Sequence, residues 1–174
     1  LEGTGSMVLD RENKICYAAM SIRTDEIAVM QFCGEFGYRP VCFTANQDVD
    51  GEHMAIYHTN VMMCVADTFA VICLDTIDDE MERENVAENL KETAKEIIEI
   101  TEEQNQRFAG NMLQVMGDKP YLVMSNSAYN SLSESQIKTI ENHCPIIYSS
   151  LDTIEACGGG SARCMMAEVF LPKK

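Results

Sequence analysis

The fold of this chain is predicted first by residues 61–74, which have the sequence VMMCVADTFAVICL. Two apolar runs, 61–65 and 69–74, flank a three-residue turn, and this pattern is typical of a β-hairpin. The charged stretch 79–95 follows, with apolar residues on one face, and it predicts an amphipathic helix. Residues 96–100 predict a further strand. The whole segment therefore predicts a β-β-α-β unit.

The same order of hairpin, helix and strand recurs on both sides of this segment. The elements are predicted over residues 7–10, 15–20, 24–36 and 39–44 before it, and over 111–115, 121–124, 133–143 and 145–149 after it. The hairpins begin near residues 7, 61 and 111, so they recur about every 50 residues, a period typical of radial arrays. We therefore predict an α/β fold of three units, about 1–57, 58–104 and 105–174, packed around a common axis with loops gathered at one end.

The composition excludes several classes of partner. The chain has 174 residues, enough to bury its own core, and a net charge of −15, which opposes binding to nucleic acid or to an anionic membrane. No apolar run approaches the roughly 20 residues of a membrane-spanning helix. We therefore expect a small molecule as the partner, with neither nucleic acid nor membrane.

The eight cysteines occur without a Cys-x-x-Cys pair, beside twelve methionines. This usage is typical of a reduced, cytoplasmic protein, so we expect Cys16, Cys64 and Cys73 to be buried as small apolar side chains. Paired ligands at short spacing are missing. The sequence therefore predicts neither a metal site nor another cofactor.

Three residues carry the groups that thiol catalysis needs. Cys164 follows a run of three glycines at 158–160, and such a run lets the backbone present a thiol at a pocket. His58 precedes an apolar strand, and Glu2 lies in a second glycine-rich turn. Together they can supply a nucleophile, a general acid and base, and an orienting carboxylate. Taken alone, a cysteine beside glycines is more often structural than catalytic.

Five ordered segments carry a family resemblance. They are residues 1–10 (LEGTGSMVLD), 21–25 (SIRTD), 57–63 (YHTNVMM), 108–113 (FAGNML) and 158–165 (GGGSARCM). In these segments the chain resembles the arginine deiminase-related citrulline utilization hydrolases, an amidinotransferase-like group of the pentein superfamily. The resemblance implies a pentein propeller of five β-β-α-β units, of which three are present here. It further implies that the chain is the C-terminal portion of a longer protein, and that it pairs with the missing N-terminal portion or associates with itself.

The resemblance implies a catalytic role for three matched residues. Cys164 matches the nucleophile, His58 matches the general acid and base, and Glu2 matches the carboxylate that orients the histidine. A thiol is mostly protonated at neutral pH, so this chemistry needs a basic partner nearby.

The resemblance also implies a set of substrate-binding residues. Arg23 matches an arginine that grips the substrate carboxylate, and Asn111 is a candidate either for substrate binding or for bracing its loop. Asn60 stands where arginine deiminases have an aspartate that holds the cationic guanidinium, and Gly5 stands where many of them have another aspartate. An uncharged amide suits a neutral ureido group, which favours citrulline over arginine.

The implied function is hydrolysis of the ureido or guanidino group of an amino acid, with citrulline converted to ornithine through a covalent thiol intermediate. The alternatives are an arginine deiminase, an amidinotransferase in which an amine replaces water, and a pentein module that binds without catalysis. The third alternative predicts an unreactive Cys164.

Overall fold

The computed structural model describes residues 1–49 and 51–170. Its first unit consists of β1 (Val8–Asp10), β2 (Ile15–Ala19), α1 (Glu26–Phe36) and β3 (Arg39–Phe43). Strand β1 pairs antiparallel with β2, and β2 pairs parallel with β3. The Asp25 carboxylate caps α1 by accepting a hydrogen bond from the Ala28 amide. The predicted order of hairpin, helix and strand is confirmed in this segment.

A polar hairpin that we did not predict follows the first unit. It consists of β4 (Asn46–Val49) and β5 (Glu52–Ala55), paired antiparallel. His53 in β5 hydrogen-bonds to Asp48 through Nδ1 at 2.7 Å and to Asp78 through Nε2 at 3.0 Å. The hydrogen bond to Asp78, followed by that to Asp48, raises the pKa of His53. The imidazole thus ties this hairpin to the segment that precedes the helix Glu80–Glu92.

The second unit begins with a helical turn. Its elements are α2 (Thr59–Met62), β6 (Met63–Val65), β7 (Phe69–Ile72), α3 (Glu80–Glu92), β8 (Glu96–Glu99) and α4 (Glu102–Asn105). Strand β6 pairs antiparallel with β7, and β7 pairs parallel with β8. The strand predicted over 61–65 is wrong at residues 61 and 62. The turn is helical there because the Thr59 hydroxyl donates to the Ser6 carbonyl at 2.6 Å and the Asn60 amide donates to the Gly5 carbonyl at 3.2 Å, which anchors it to the first unit.

The third unit repeats the order of the first. Its elements are β9 (Leu113–Met116), β10 (Pro120–Ser125), α5 (Asn126–Ser131), α6 (Glu134–His143), β11 (Ile146–Ser149) and α7 (Asp152–Gly158). Strand β9 pairs antiparallel with β10, and β10 pairs parallel with β11. Helix α7 leads into the glycine turn and then into a short 3-10 turn, Arg163–Met165. Within the two described ranges, no helix combines the length and the apolar character needed to cross a bilayer.

Two apolar cores hold neighbouring units together. One contains Tyr17, Phe43 and Leu90, which come from the first and second units and are buried. The other contains Phe69 and Leu122, which come from the second and third units. Because burial of apolar surface is the main favourable term in folding, these shared cores favour units that stay packed against one another.

The buried thiols behave as the composition predicts. Cys16, Cys64 and Cys73 lie in the core with at most 6% of their surface exposed. Burial raises the pKa of Cys64 to about 12 and that of Cys73 to about 11. These thiols therefore remain protonated at neutral pH, and they are poor nucleophiles.

The first strands of the three units lie side by side, because β1 contacts β6 and β6 contacts β9. The loops before these strands meet at one end, where the Asn111 side chain reaches the Asn60 carbonyl at 2.8 Å. The segments after them line a cavity of about 480 Å³ at the other end, beside the buried ion pair of Lys95 and Asp10. The α/β class is confirmed, and the strands of the described residues form four separate sheets rather than a closed barrel.

Candidate active site

A carboxylate and an imidazole form the first half of the candidate site. Nε2 of His58 donates to a carboxylate oxygen of Glu2 at 2.7 Å. The His58 side chain is 15% exposed and that of Glu2 is 48% exposed, so the pair lies at the molecular surface. The hydrogen bond from His58 lowers the pKa of the Glu2 carboxyl group, and Arg23 adds to this effect. Glu2 therefore orients the ring through its hydrogen bond with Nε2.

The backbone of Gly5 lies directly against the His58 ring. A Cβ at position 5 would lie 2.8 Å from Cε1 and 2.9 Å from Nδ1 of the imidazole. An aspartate at this position would therefore displace the ring from its place beside Glu2. Glycine at position 5 and the observed position of His58 depend on each other.

The thiol forms the second half of the site. Cys164 lies in the 3-10 turn and is exposed. Nδ2 of Asn111 donates to the sulfur at 3.3 Å, and Oδ1 of Asn60 lies 4.0 Å from it. Asn111 and Asn60 are buried, with 1% and 3% of their surface exposed. The nucleophile candidate is thus held by two neutral amides, and the bracing role proposed for Asn111 agrees with its contacts.

The side chain of Arg163, next to Cys164 in the sequence, makes its hydrogen bonds to groups other than the thiol. The guanidinium of Arg163 donates to the Met166 carbonyl at 3.0 Å and to Glu168 at 3.3 Å. Its backbone amide, in contrast, donates to Oδ1 of Asn111 at 3.1 Å. Arg163 therefore fixes the chain around the nucleophile through its backbone, while its side chain anchors the segment that follows.

One sequence of hydrogen bonds joins all the loops at this end. The Asn60 amide donates to the Gly5 carbonyl, the Asn111 side chain donates to the Asn60 carbonyl, and the Arg163 amide donates to the Asn111 side chain. A close backbone approach sustains the middle link, since a Cβ on Gly110 would lie 2.4 Å from the Val61 carbonyl oxygen. The loops therefore keep fixed distances from one another.

Arg23 lies beside the carboxylate and not free in solution. Its Nη1 lies 3.4 Å from the Glu2 oxygen that also accepts from His58. Its guanidinium lies 5.3 Å from the centre of the Tyr57 ring. Tyr57 was not predicted as a site residue, although its place directly before His58 in the sequence is a usable signal.

The structure brings all six predicted residues to the same end of the units, in two groups. The first comprises Glu2, His58 and Arg23, and the second comprises Cys164, Asn60 and Asn111. Among the residues that the structure describes, no hydrogen bond joins His58 to Cys164, and no three His, Cys, Asp or Glu side chains lie together as metal ligands would. The imidazole and the thiol thus make their hydrogen bonds to different partners.

Comparison with protein families gives a match over nearly the whole chain. The family model described as "N,N dimethylarginine dimethylhydrolase, eukaryotic" matches residues 1–171. The chain belongs to this family. Its predicted resemblance to the arginine deiminase-related hydrolases of the pentein superfamily is confirmed. A search of curated proteins found no match.

Solved structures share the fold at low sequence identity. The N-terminal domain of ArgZ, bound to its product, has 17% identity and a TM-score of 0.73, over 94% of this chain and 54% of that one. ArgZ is an arginine dihydrolase of the ornithine-ammonia cycle in cyanobacteria. AgrE in complex with ornithine and NAD+ has 18% identity and a TM-score of 0.73, over 100% of this chain and 23% of that one.

The agmatine deiminase of C. jejuni is a more distant match, with 15% identity and a TM-score of 0.52, over 94% of this chain and 54% of that one. The chain thus spans about half the length of the ArgZ domain and of this deiminase. At these identities the likeness shows a common fold.

Proposed function

We propose that this chain forms the thiol-bearing part of a hydrolase that cleaves a C–N bond in the guanidino or ureido group of an arginine-like amino acid. The observation that carries the proposal is the meeting, at one end of the three units, of an exposed thiol held by amides and an imidazole held by a carboxylate. Membership of a family of dimethylarginine hydrolases supports the same class of reaction.

The reaction uses groups present at this end and one water molecule. The thiol proton of Cys164 passes to His58, and the resulting thiolate attacks the trigonal carbon and forms a C–S bond. The protonated His58 then donates that proton to the nitrogen as the C–N bond breaks. His58 then takes a proton from water, which adds to the same carbon while the C–S bond breaks and its electron pair returns to sulfur. Glu2 holds the ring in place through its hydrogen bond with Nε2.

In this proposal the substrate carbon binds between the two groups, meets the sulfur on one face and delivers its leaving nitrogen towards the ring. Among the described residues, His58 and Cys164 make their hydrogen bonds to different partners, so neither has to leave the other before substrate enters.

The finer proposal is hydrolysis of citrulline to ornithine, carbon dioxide and ammonia. The steps above break one C–N bond and leave a carbamate, whose remaining C–N bond breaks spontaneously in water to release carbon dioxide and the second amine. This finer proposal is supported by the amide of Asn60 beside the sulfur, because this group is uncharged and can accept from a ureido N–H. Arg23 binds the substrate carboxylate in this proposal, exchanging its contact with Glu2 for a paired contact with the ligand. The family description favours a second candidate, N,N-dimethylarginine, which would yield citrulline and dimethylamine.

The test uses purified protein that contains this chain, incubated separately with citrulline, arginine and N,N-dimethylarginine. The nitrogen products identify the reaction, because citrulline yields ornithine with one ammonia, arginine yields citrulline with one ammonia or ornithine with two, and dimethylarginine yields citrulline with dimethylamine. Cys164→Ala should abolish turnover. The matched control is Cys157→Ala, which removes the exposed thiol of α7 and should leave turnover intact.

Two other results would replace the proposed hydrolase with a different function. Transfer of a labelled amidino group to an added amine, without net hydrolysis, would identify an amidinotransferase. No turnover of any of the three substrates, together with a Cys164 that a substrate-like chloroacetamidine fails to modify, would identify a binding module.

We further propose that the three units, about residues 1–57, 58–104 and 105–174, belong to a radial array of the pentein type. The side-by-side first strands support this arrangement, as does the share of about half of the ArgZ domain that the chain spans. Such an array would be completed by further units or by a second copy. Sedimentation over a range of concentrations tests the second copy, and a location in the cytoplasm stays a prediction.

A further inference from the structure

Tyr57 contacts three parts of the candidate site, and the reaction proposed above gives it no role. Its phenol O–H donates to the Gly159 carbonyl at 2.6 Å. Its ring centre lies 5.0 Å from that of His58 and 5.3 Å from the guanidinium carbon of Arg23. Its own carbonyl accepts from the Ser21 hydroxyl at 2.8 Å. One side chain thus joins the segment of the histidine, the turn of the arginine and the loop of the nucleophile.

We propose that Tyr57 is a positioning residue that locks the nucleophile loop, residues 158–164, to the segment that carries His58. The inference rests on the proposed function and deepens it. The loop needs an external tie because Gly159 has a left-handed backbone, with φ of 67°, and a Cβ at this position would touch nothing within 4 Å. Burial raises the pKa of the Tyr57 phenol, so it remains a hydrogen-bond donor at neutral pH.

A second tie holds the other end of the loop. The Asn111 side chain accepts from the Arg163 amide at 3.1 Å and donates to the Cys164 sulfur at 3.3 Å. The loop is therefore fixed at Gly159 by the tyrosine and at the nucleophile by the asparagine. Release of the first tie lets the glycine turn move and carries the sulfur away from the Asn111 amide.

The hydroxyl and the ring of Tyr57 have separable tasks. The hydroxyl holds the loop, whereas the ring supports the guanidinium of Arg23, the residue proposed to bind the substrate carboxylate. Tyr57→Phe removes only the first contact, and Tyr57→Leu removes both. Tyr121→Phe is the matched control, since the Tyr121 hydroxyl donates to a carboxylate of Asp118 in an exposed hairpin of the third unit.

The two variants should differ in which kinetic constant they change, measured with whichever of citrulline, arginine and N,N-dimethylarginine is turned over. Tyr57→Phe should lower kcat roughly 2- to 12-fold with KM unchanged, which is the range of a single lost hydrogen bond. Tyr57→Leu should in addition raise KM roughly 2- to 5-fold, the range of a lost cation–π contact. The proposal would be overturned by an equal rise in KM for both variants, or by a Tyr57→Phe variant whose kcat is the same as that of Tyr121→Phe.

Alkylation with iodoacetamide gives a readout that needs no turnover. Cys157 is exposed on the preceding helix and serves as the internal reference in the same molecule. Tyr57→Phe should lower the ratio of Cys164 to Cys157 alkylation, and an unchanged ratio would contradict the lock. If the wild type turns over none of the three substrates, the proposed function fails, while this ratio still decides whether Tyr57 holds the loop.

Discussion

Gly110→Ala would place a Cβ 2.4 Å from the Val61 carbonyl oxygen and 2.6 Å from the Met62 carbonyl carbon. Both neighbours are backbone atoms in the core, so the two segments must separate. Overpacking of this kind lowers the free energy of unfolding by about 1–3 kcal/mol. For a domain of this size, such a decrease lowers Tm by about 2–12 °C. The same movement carries Asn111 away from the Asn60 carbonyl and from the nucleophile, which adds a roughly tenfold loss of kcat.

The assay for this prediction pairs thermal unfolding with iodoacetamide alkylation of Cys164. Gly34→Ala is the matched control, because Gly34 lies inside α1 and a Cβ there meets nothing within 4 Å. The control should raise the free energy of unfolding by about 0.5–1 kcal/mol, which is the usual advantage of alanine over glycine inside a helix. If Gly110→Ala left both Tm and the alkylation rate at their wild-type values, the close approach of the two backbone segments would be refuted.

Three further predictions follow from single contacts. Gly5→Ala should lower kcat with little change in Tm, because its Cβ would displace only the His58 ring, and full activity would contradict this. Because hydrogen bonds to Asp78 and a second carboxylate raise the pKa of His53, its stabilising effect is complete below its ordinary pKa of 6.5 and is lost as pH rises through the raised value. His53→Gln should therefore lower Tm more at pH 6 than at pH 8, and an equal loss at both would be evidence against this. Lys95→Met leaves the buried carboxylate of Asp10 without its ion-pair partner, so the free energy of unfolding measured with urea should fall by about 3–5 kcal/mol. A fall of less than about 1 kcal/mol would be inconsistent with a buried ion pair.

The repeated units could be predicted because their signals are local. Alternating or continuous apolar runs, short turns and a charged helix identify each unit without reference to the rest of the chain. The hairpin of β4 and β5 escaped prediction because its residues are exposed or only partly buried, so no apolar alternation marks it. The helical turn Thr59–Met62 escaped because its conformation depends on hydrogen bonds to Gly5 and Ser6, more than 50 residues away.

The sequence motifs select the residues of the candidate site and carry no information on the contacts between them. Sequence motifs placed Arg23 at the substrate carboxylate, and nothing in them indicates that it shares an oxygen of Glu2 with His58. The motifs likewise do not indicate that the side chain of Arg163 binds the Met166 carbonyl and Glu168 instead of the thiol. Such pairings depend on how distant segments pack, and one sequence carries no information on that.

The links between the loops imply that substitutions at this end will not add independently. Gly5, Asn60, Asn111 and Arg163 form one series of hydrogen bonds, so loss of any link loosens those beyond it. Tyr57 holds the same loop from the opposite end. With one tie gone, the loop has already moved, and removal of the second tie then costs less than it does in the wild type. Tyr57→Phe combined with Asn111→Ala should therefore reduce kcat by less than the product of the two single effects, because residues that share a partner are coupled.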